Sequence, residues 1–341
     1  MEGNSTFAPK PKEGDSWDVV IIGSGPAGLT AAIYTTRGAA GTLIFAGEAW
    51  GGQLMLTTVV DNYPGLPGIQ GPELMQRLRD HSTLFGGEFL SKNVASVNLS
   101  KTPFELESDG KKYLAKSIII ATGADTMWLN VPGESKLRGR GVSSCAPCDA
   151  PFFKEKRVIV IGGGDSAMEE ALVLTKYAKE VAIVHRRDKF RASAAMQKKV
   201  FDVEKKGRIK IIWDSEVTEF VGRRPGGASP RVGDSQESKT SPEGEILEKV
   251  KIKNAVTGKV TEMEIDGAFI AIGHIPASEI FKGPIELDAK GYIVIHDHTK
   301  TNIPGVFVAG DVHDYHYKQA VTAAGFGCMA GMDALKYLED I

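Results

Sequence analysis

Two Gly-rich turns of one design constrain this chain more than anything else in it. The apolar run Trp17-Asp18-Val19-Val20-Ile21-Ile22 breaks at Gly23-Ser24-Gly25-Pro26-Ala27-Gly28. An alanine-rich segment, Leu29 to Arg37, follows, and Thr42–Phe45 reads as the next strand. Strand, G-x-G-x-x-G, helix, strand is the dinucleotide fingerprint in the context it requires. Gly23 permits the tight turn, Gly25 lets a pyrophosphate approach the backbone, and Gly28 lets the helix pack on the sheet. The phosphate charge then meets the helix N-terminus. A Gly-rich turn without a ligand is the bland alternative, and the flanking pattern opposes it.

The signal recurs. Arg157–Ile161 leads into Gly162-Gly163-Gly164-Asp165-Ser166-Ala167, a helix is expected from Met168 to about Lys179, and Val181–Val184 follows. Ala167 stands for the third Gly, which the packing role tolerates. Two copies predict two dinucleotides, one held tightly as a redox cofactor and one exchanging. The second strand ends in His185-Arg186-Arg187-Asp188-Lys189-Phe190-Arg191, where an NAD site would place an acid for the ribose 2'-hydroxyl. Arg186, Arg187 and Arg191 instead suit a 2'-phosphate, so NADPH is favoured over NADH. A solvated basic turn is the competing reading. The first copy lacks such an acid right after Phe45; Gly51-Gly52-Gln53-Leu54 and Asp61-Asn62-Tyr63-Pro64-Gly65 read either as a wrap around a larger cofactor or as surface loop.

Composition agrees with a Gly-punctuated α/β chain: 39 of 341 residues are Gly, against a usual share of roughly 7%. Charged residues at 25% and a net charge of -2 exclude a disordered chain, a coiled coil and a strongly basic nucleic-acid binder. No apolar run approaches the roughly 20 residues of a membrane span. Three cysteines cannot build a disulfide framework, which points to a reducing, cytoplasmic setting. The expected architecture is two Rossmann-like three-layer α/β domains, the second inserted into the first. Residues 1–16 read as a disordered leader, 17–126 as the first part of the outer domain, 127–272 as the inserted domain and 273–341 as the return. Within the insert, 222–244 (GRRPGGASPRVGDSQESKTSPEG) reads as a mobile excursion between strands Ile209–Trp213 and Val250–Lys253. A C-terminal helix is expected from near Tyr317.

Cys145-Ala146-Pro147-Cys148-Asp149 precedes the second fingerprint. Half a zinc site needs two more ligands, and Cys328, His313 and His316 form no matching pair, so no metal is expected. Beside two dinucleotides, a redox dithiol is the better reading. Asp149 is near enough to move a proton; capping a helix before Pro151 is its plain alternative. Cys328 reads as a small buried residue.

The segments GSGPAG, GGQL, DNYPG, CAPCD, GGGDSA, HRRDKFRA, AGDV and QAVTAAGFG occur in the order found in the low-molecular-weight, flavin-dependent thioredoxin reductases, and the chain resembles that family from about Asp18 to Leu338. The resemblance implies FAD at Gly23, Ser24, Gly25, Pro26, Ala27, Gly28, Gly52, Gln53, Leu54, Asn62, Val94, Thr122, Gly123, Asp311, Lys318, Gln319 and Ala320. It implies NADPH at Gly164, Asp165, Ser166, Ala167, His185, Arg186, Arg187 and Arg191, with Ile272 among the cofactor-binding positions. Cys148 is then the flavin-facing sulfur, Cys145 attacks the thioredoxin disulfide, and Asp149 gives and takes the proton. It also implies rotation of the NADPH domain and a homodimer held mostly by the FAD domains. Four positions depart from the family pattern: Pro147 for Thr or Val, Ala150 for Gly, Lys318 for Arg and Ala277 for Asn. None removes a reacting group. Pro147 bears on the dithiol potential, and Lys318 on a bidentate contact to the flavin.

The acceptor stays open at this stage. A peroxiredoxin partner or a small disulfide would keep the same chemistry. A ferredoxin-driven enzyme of this fold is opposed by the arginine cluster, and a non-catalytic flavoprotein by the intact cysteine pair.

Overall fold

Alternation along the buried strands explains both halves of the molecule. In a computed structural model, which describes residues 10–12, 14–57, 59–224 and 244–341, the strand Ser16–Ile22 turns Val19 and Ile21 to one face and Val20 and Ile22 to the other. Both faces are covered, as a parallel sheet between two layers requires. Most of the expected 1–16 leader, over 1–9, and most of the expected excursion, 225–243, lie outside the described residues, and Ser16 already belongs to the first strand.

The chain divides into two units, Met1–Asp125 with His274–Ile341, and Thr126–Gly273. The first is built on a seven-stranded sheet. Glu88–Leu90, Thr42–Phe45, Ser16–Ile22, Lys111–Ile120 and Val306–Val308 run parallel, with Ile21 opposite Ile44 and Ile119. Phe104–Ser108 and Ser96–Asn98 extend it antiparallel. One face packs on the helices Pro26–Arg37 and Ala320–Glu339 through Ile21, Ile44, Ile119 and Phe307. Those two helices touch along small residues: a Cβ on Gly327 would stand 2.1 Å from the Ala27 carbonyl oxygen. The other face packs Val20, Phe45, Ile118 and Val308 against Phe104, Phe281 and Ile293.

The second unit sandwiches a five-stranded parallel sheet, in the order Val142–Ser143, Gly267–Ile270, Arg157–Ile161, Glu180–Val184, Ile209–Ile212. Val158 and Val160 face the helices Asp165–Leu174 and Ala194–Glu204; Ile159 and Ile161 face an antiparallel sheet of Ser215–Arg223, Ile246–Asn254 and Val260–Glu264.

Three boundaries differ from the sequence reading. The second fingerprint helix ends at Leu174 rather than near Lys179, because the turn at Thr175–Ala178 closes on the Ala171, Val173 and Leu174 carbonyls. The strand entering the 225–243 segment is Ser215–Arg223; Ile209–Ile212 belongs to the parallel sheet. The last helix begins at Ala320, not near Tyr317. The Asp314 carboxylate accepts the amides of His316, Tyr317 and Lys318, Lys318 adopts φ +50°, and Gln319 closes a capping box with Thr322. No helix among the described residues is long and apolar enough to cross a membrane.

Candidate active site

The first fingerprint gives Gly23 and Gly28 separate steric reasons and leaves Gly25 open. Gly23 has φ +116°, and a Cβ there would lie 2.1 Å from the Ala121 carbonyl oxygen. A Cβ on Gly28 would lie 2.0 Å from the Gly23 carbonyl oxygen, whereas one on Gly25 meets nothing within 4 Å. The open side is thus the one that the phosphate role demands. Pro26 opens the helix, its missing N–H costing nothing in the first turn, and Ala27 and Gly28 are buried beneath it. Ser24 donates to the Ala46 carbonyl and accepts the Gly51 amide, both at 2.8 Å, tying the turn to the Gly51-Gly52 loop.

Other predicted positions of this unit gather by hydrogen bonds. Asn62 donates to Gln319 (3.2 Å), Gln53 to Asp125 (3.1 Å), and Thr122, beside Gly123, to the Ala277 carbonyl (2.6 Å). Ala320 opens the helix that Gln319 caps. Leu54 packs against a small cluster of Val60, Ile69 and Leu74, and the Val94 side chain sits in the core. Lys318 donates to His274 Nδ1 (3.2 Å), and burial, reinforced by that ammonium, pulls His274 down to about 4. Asp311 follows the strand Val306–Val308. Burial, aided by Asp314 and opposed by Lys318, pushes it up to about 7. Its Oδ1 is buried with no hydrogen-bond partner among the described residues.

The second fingerprint repeats the arrangement. Gly162, at φ +155°, abuts the Ala271 carbonyl and the Ala167 side chain, and a Cβ on Gly164 meets nothing within 4 Å. Gly163 lies under the His185 ring, where a Cβ would come within 2.2 Å of the imidazole. His185 is buried against Phe190 and Trp213, bonds the Lys189 carbonyl through Nε2 (3.0 Å), and is lowered mainly by burial. It therefore forms the floor of the turn, while Arg186, Arg187 and Arg191 are exposed above it. The Gly163 carbonyl accepts the Arg191 amide (2.7 Å), and Asp165 accepts both the amide and hydroxyl of Ser193 (2.9 and 2.7 Å). Ser193, which the sequence reading missed, clamps the arginine turn to the fingerprint helix. Ser166 is exposed at the start of that helix, and Ile272 is partly buried against the antiparallel sheet's core.

In the same unit Cys145 and Cys148 form a disulfide, with Cys145 capping the short helix Ala146–Asp149. Asp149 is raised by burial and lowered by the Ser143 hydroxyl, which donates to its Oδ2 at 2.6 Å. Cys328 is half-buried rather than buried, its thiol 4.0 Å from the Met332 sulfur on the last helix.

Paired nucleotide turns and a C-x-x-C disulfide define a class of pyridine-nucleotide-linked disulfide oxidoreductases. Residues 17–327 match the family described as "Pyridine nucleotide-disulphide oxidoreductase". The chain is 46% identical over 323 residues to the thioredoxin reductase of Rickettsia prowazekii, covering 94% of this chain and 97% of that protein. Solved thioredoxin reductases from Streptococcus pyogenes (38% identity, 96% and 99% of the chains) and Giardia duodenalis (40%, 95% and 99%) each superpose with a TM-score of 0.85. The chain belongs to the thioredoxin reductase family, and it is an oxidoreductase.

Proposed function

We propose that this enzyme reduces the disulfide of thioredoxin with electrons from NADPH, by way of FAD and the Cys145–Cys148 pair. The observation that carries the reading is a disulfide with a half-buried carboxyl beside it, in the same unit as a nucleotide turn rimmed by arginines. The names of the relatives support thioredoxin as acceptor.

The first unit suits FAD on two grounds: the open side of Gly25 and the unpartnered, buried acceptor of Asp311, which a cofactor hydroxyl would satisfy. FAD supplies the chemistry that joins a hydride donor to a dithiol, which side chains alone do not perform. The chain's residues bind, orient and move protons. Gly25 and the first turn of the helix hold pyrophosphate, and Arg186, Arg187 and Arg191 hold the 2'-phosphate. Cys148 is the sulfur assigned to the flavin side and Cys145 the one that attacks the acceptor. Two electrons and two protons open the pair to a dithiol, and the same two of each leave with the acceptor; Asp149 carries a proton between sulfurs. The proposal includes a homodimer held by the first unit, supported by exposed Val321, Met329 and Met332 on the last helix.

NADPH oxidation by the purified protein with oxidised thioredoxin is the direct test. Turnover is expected; its absence, with a peroxiredoxin or a small disulfide reduced instead, would move the acceptor. Nucleotide choice follows from the arginines. Charge-assisted hydrogen bonds contribute roughly 1.5–3 kcal/mol, and about 1.4 kcal/mol is tenfold. NADPH is therefore expected to exceed NADH by at least about tenfold in kcat/KM, mostly through KM, because the contact lies away from the reacting atoms. Arg186→Ala with Arg187→Ala erases most of that preference and leaves NADH kinetics nearly unchanged. Equal use of both nucleotides by the unaltered enzyme would mark the cluster as a solvated turn.

A further inference from the structure

A short polar contact beside the disulfide is made by a residue that the cysteine motif does not contain. Ser143 is 8% exposed at the end of the edge strand Val142–Ser143. Its Oγ–H donates to Asp149 Oδ2 at 2.6 Å, and its Oγ accepts the Cys145 amide at 3.1 Å. We propose that Ser143 is a positioning residue for proton exchange at the dithiol, fixing the Asp149 carboxyl to the backbone that carries Cys145. The inference rests on Cys145–Cys148 being the redox pair.

A hydroxyl has one proton and two lone pairs. Here the proton is committed to the carboxylate and a lone pair to the amide, so rotating the hydroxyl away breaks the contact to Asp149. Donation favours the ionised carboxylate, opposing burial, which favours the neutral acid. These two influences account for the shift of Asp149. The helix Asp165–Leu174 packs against Ala146–Asp149 and carries the acids Asp165, Glu169 and Glu170. Val142–Ser143, the Gly267–Ile270 strand paired to it and the turn Ala150–Phe153 carry no ionisable side chain.

The exchange needs both forms of Asp149. The Cys145 sulfur bonds to one acceptor sulfur, the acceptor S–S bond breaks, and the first leaving sulfur takes the proton Cys145 gave up. The Cys148 thiol then passes its proton to the Asp149 carboxylate as its sulfur attacks Cys145. The second acceptor thiolate leaves and takes that proton from Asp149. Two electrons and two protons move to the acceptor, and Asp149 ends as it began.

Two titrations of the holoenzyme test this. The first follows thioredoxin reduction against pH. The second follows the protonated Asp149 carbonyl stretch, isolated as the infrared difference between each protein and its Asp149→Asn counterpart, and needs no acceptor. Losing one hydrogen bond to a carboxylate corresponds to roughly one pH unit. Ser143→Ala is expected to move the acid limb of turnover and the infrared midpoint upward together by about that much, and Ser143→Thr to restore both. Infrared midpoints that coincide in Ser143→Ala and the unaltered enzyme would overturn the proposal. An infrared shift in a protein that reduces no thioredoxin would support the Ser143 contact and refute the acceptor assignment instead.

Discussion

Cys148→Ser is expected to abolish disulfide reduction while the flavin stays bound and is still bleached by NADPH. Neither cysteine alone can close the internal disulfide that releases a reduced acceptor. The residues proposed to cradle FAD, Gly23–Gly28, Gly51-Gly52 and Asp311, belong to the other unit, so the substitution alters none of them. Steady turnover falls by more than about a thousandfold, the scale of losing a nucleophile. Rapid mixing with NADPH and steady-state assay with thioredoxin separate the two half-reactions. Sustained thioredoxin turnover by this variant would rule out the dithiol route.

Asp311→Ala is expected to weaken FAD binding by roughly 10- to 100-fold, the worth of one hydrogen bond to a charged acceptor. The same change simplifies the apoprotein's response to pH. The folded-state value of about 7 lies above the ordinary 3.8, so the folded apoprotein keeps a proton that the unfolded chain has lost. Asp311's contribution to stability is then fully present below about pH 4 and lost as pH rises through about 7. Urea midpoints of the unaltered apoprotein fall across that window, and those of Asp311→Ala fall less. A cofactor hydroxyl donated to Asp311 would favour the ionised form and flatten the same slope. Identical pH profiles for the two apoproteins would show that Asp311 is not held near neutral.

The parts legible in the sequence were those whose cause is local. Period-two apolar runs ending in Gly-x-Gly announce strand, turn and helix within a dozen residues, and both runs fold in that order. The C-x-x-C pair is likewise a matter of spacing, and it closes as a disulfide. What the sequence hid depends on contacts between distant positions. Ser193 meets Asp165 across 28 residues, and Asn62 meets Gln319 across 257. Ser143 stands close in sequence to Asp149, yet only the bend through Cys145 brings its hydroxyl onto the carboxylate. The last helix starts later than its apolar pattern for a related reason. The aromatic and apolar pattern runs back to Tyr317, but the Asp314 carboxylate captures the amides that a longer helix would need.

The inserted unit has its two ends joined. The Met127 amide donates to the Gly273 carbonyl at 3.0 Å, so 146 residues after Met127 the chain is back within one hydrogen bond of where it left. For the outer unit, the whole insert is then equivalent to a tight turn, and the entropy of closing it is borne by the insert's own core rather than by the outer sheet. Such a join lets each half change its length, loops and surface without altering the register of the other. The chain is organised as a host and a guest, and a gene fragment spanning residues 126–273 is a natural unit of exchange.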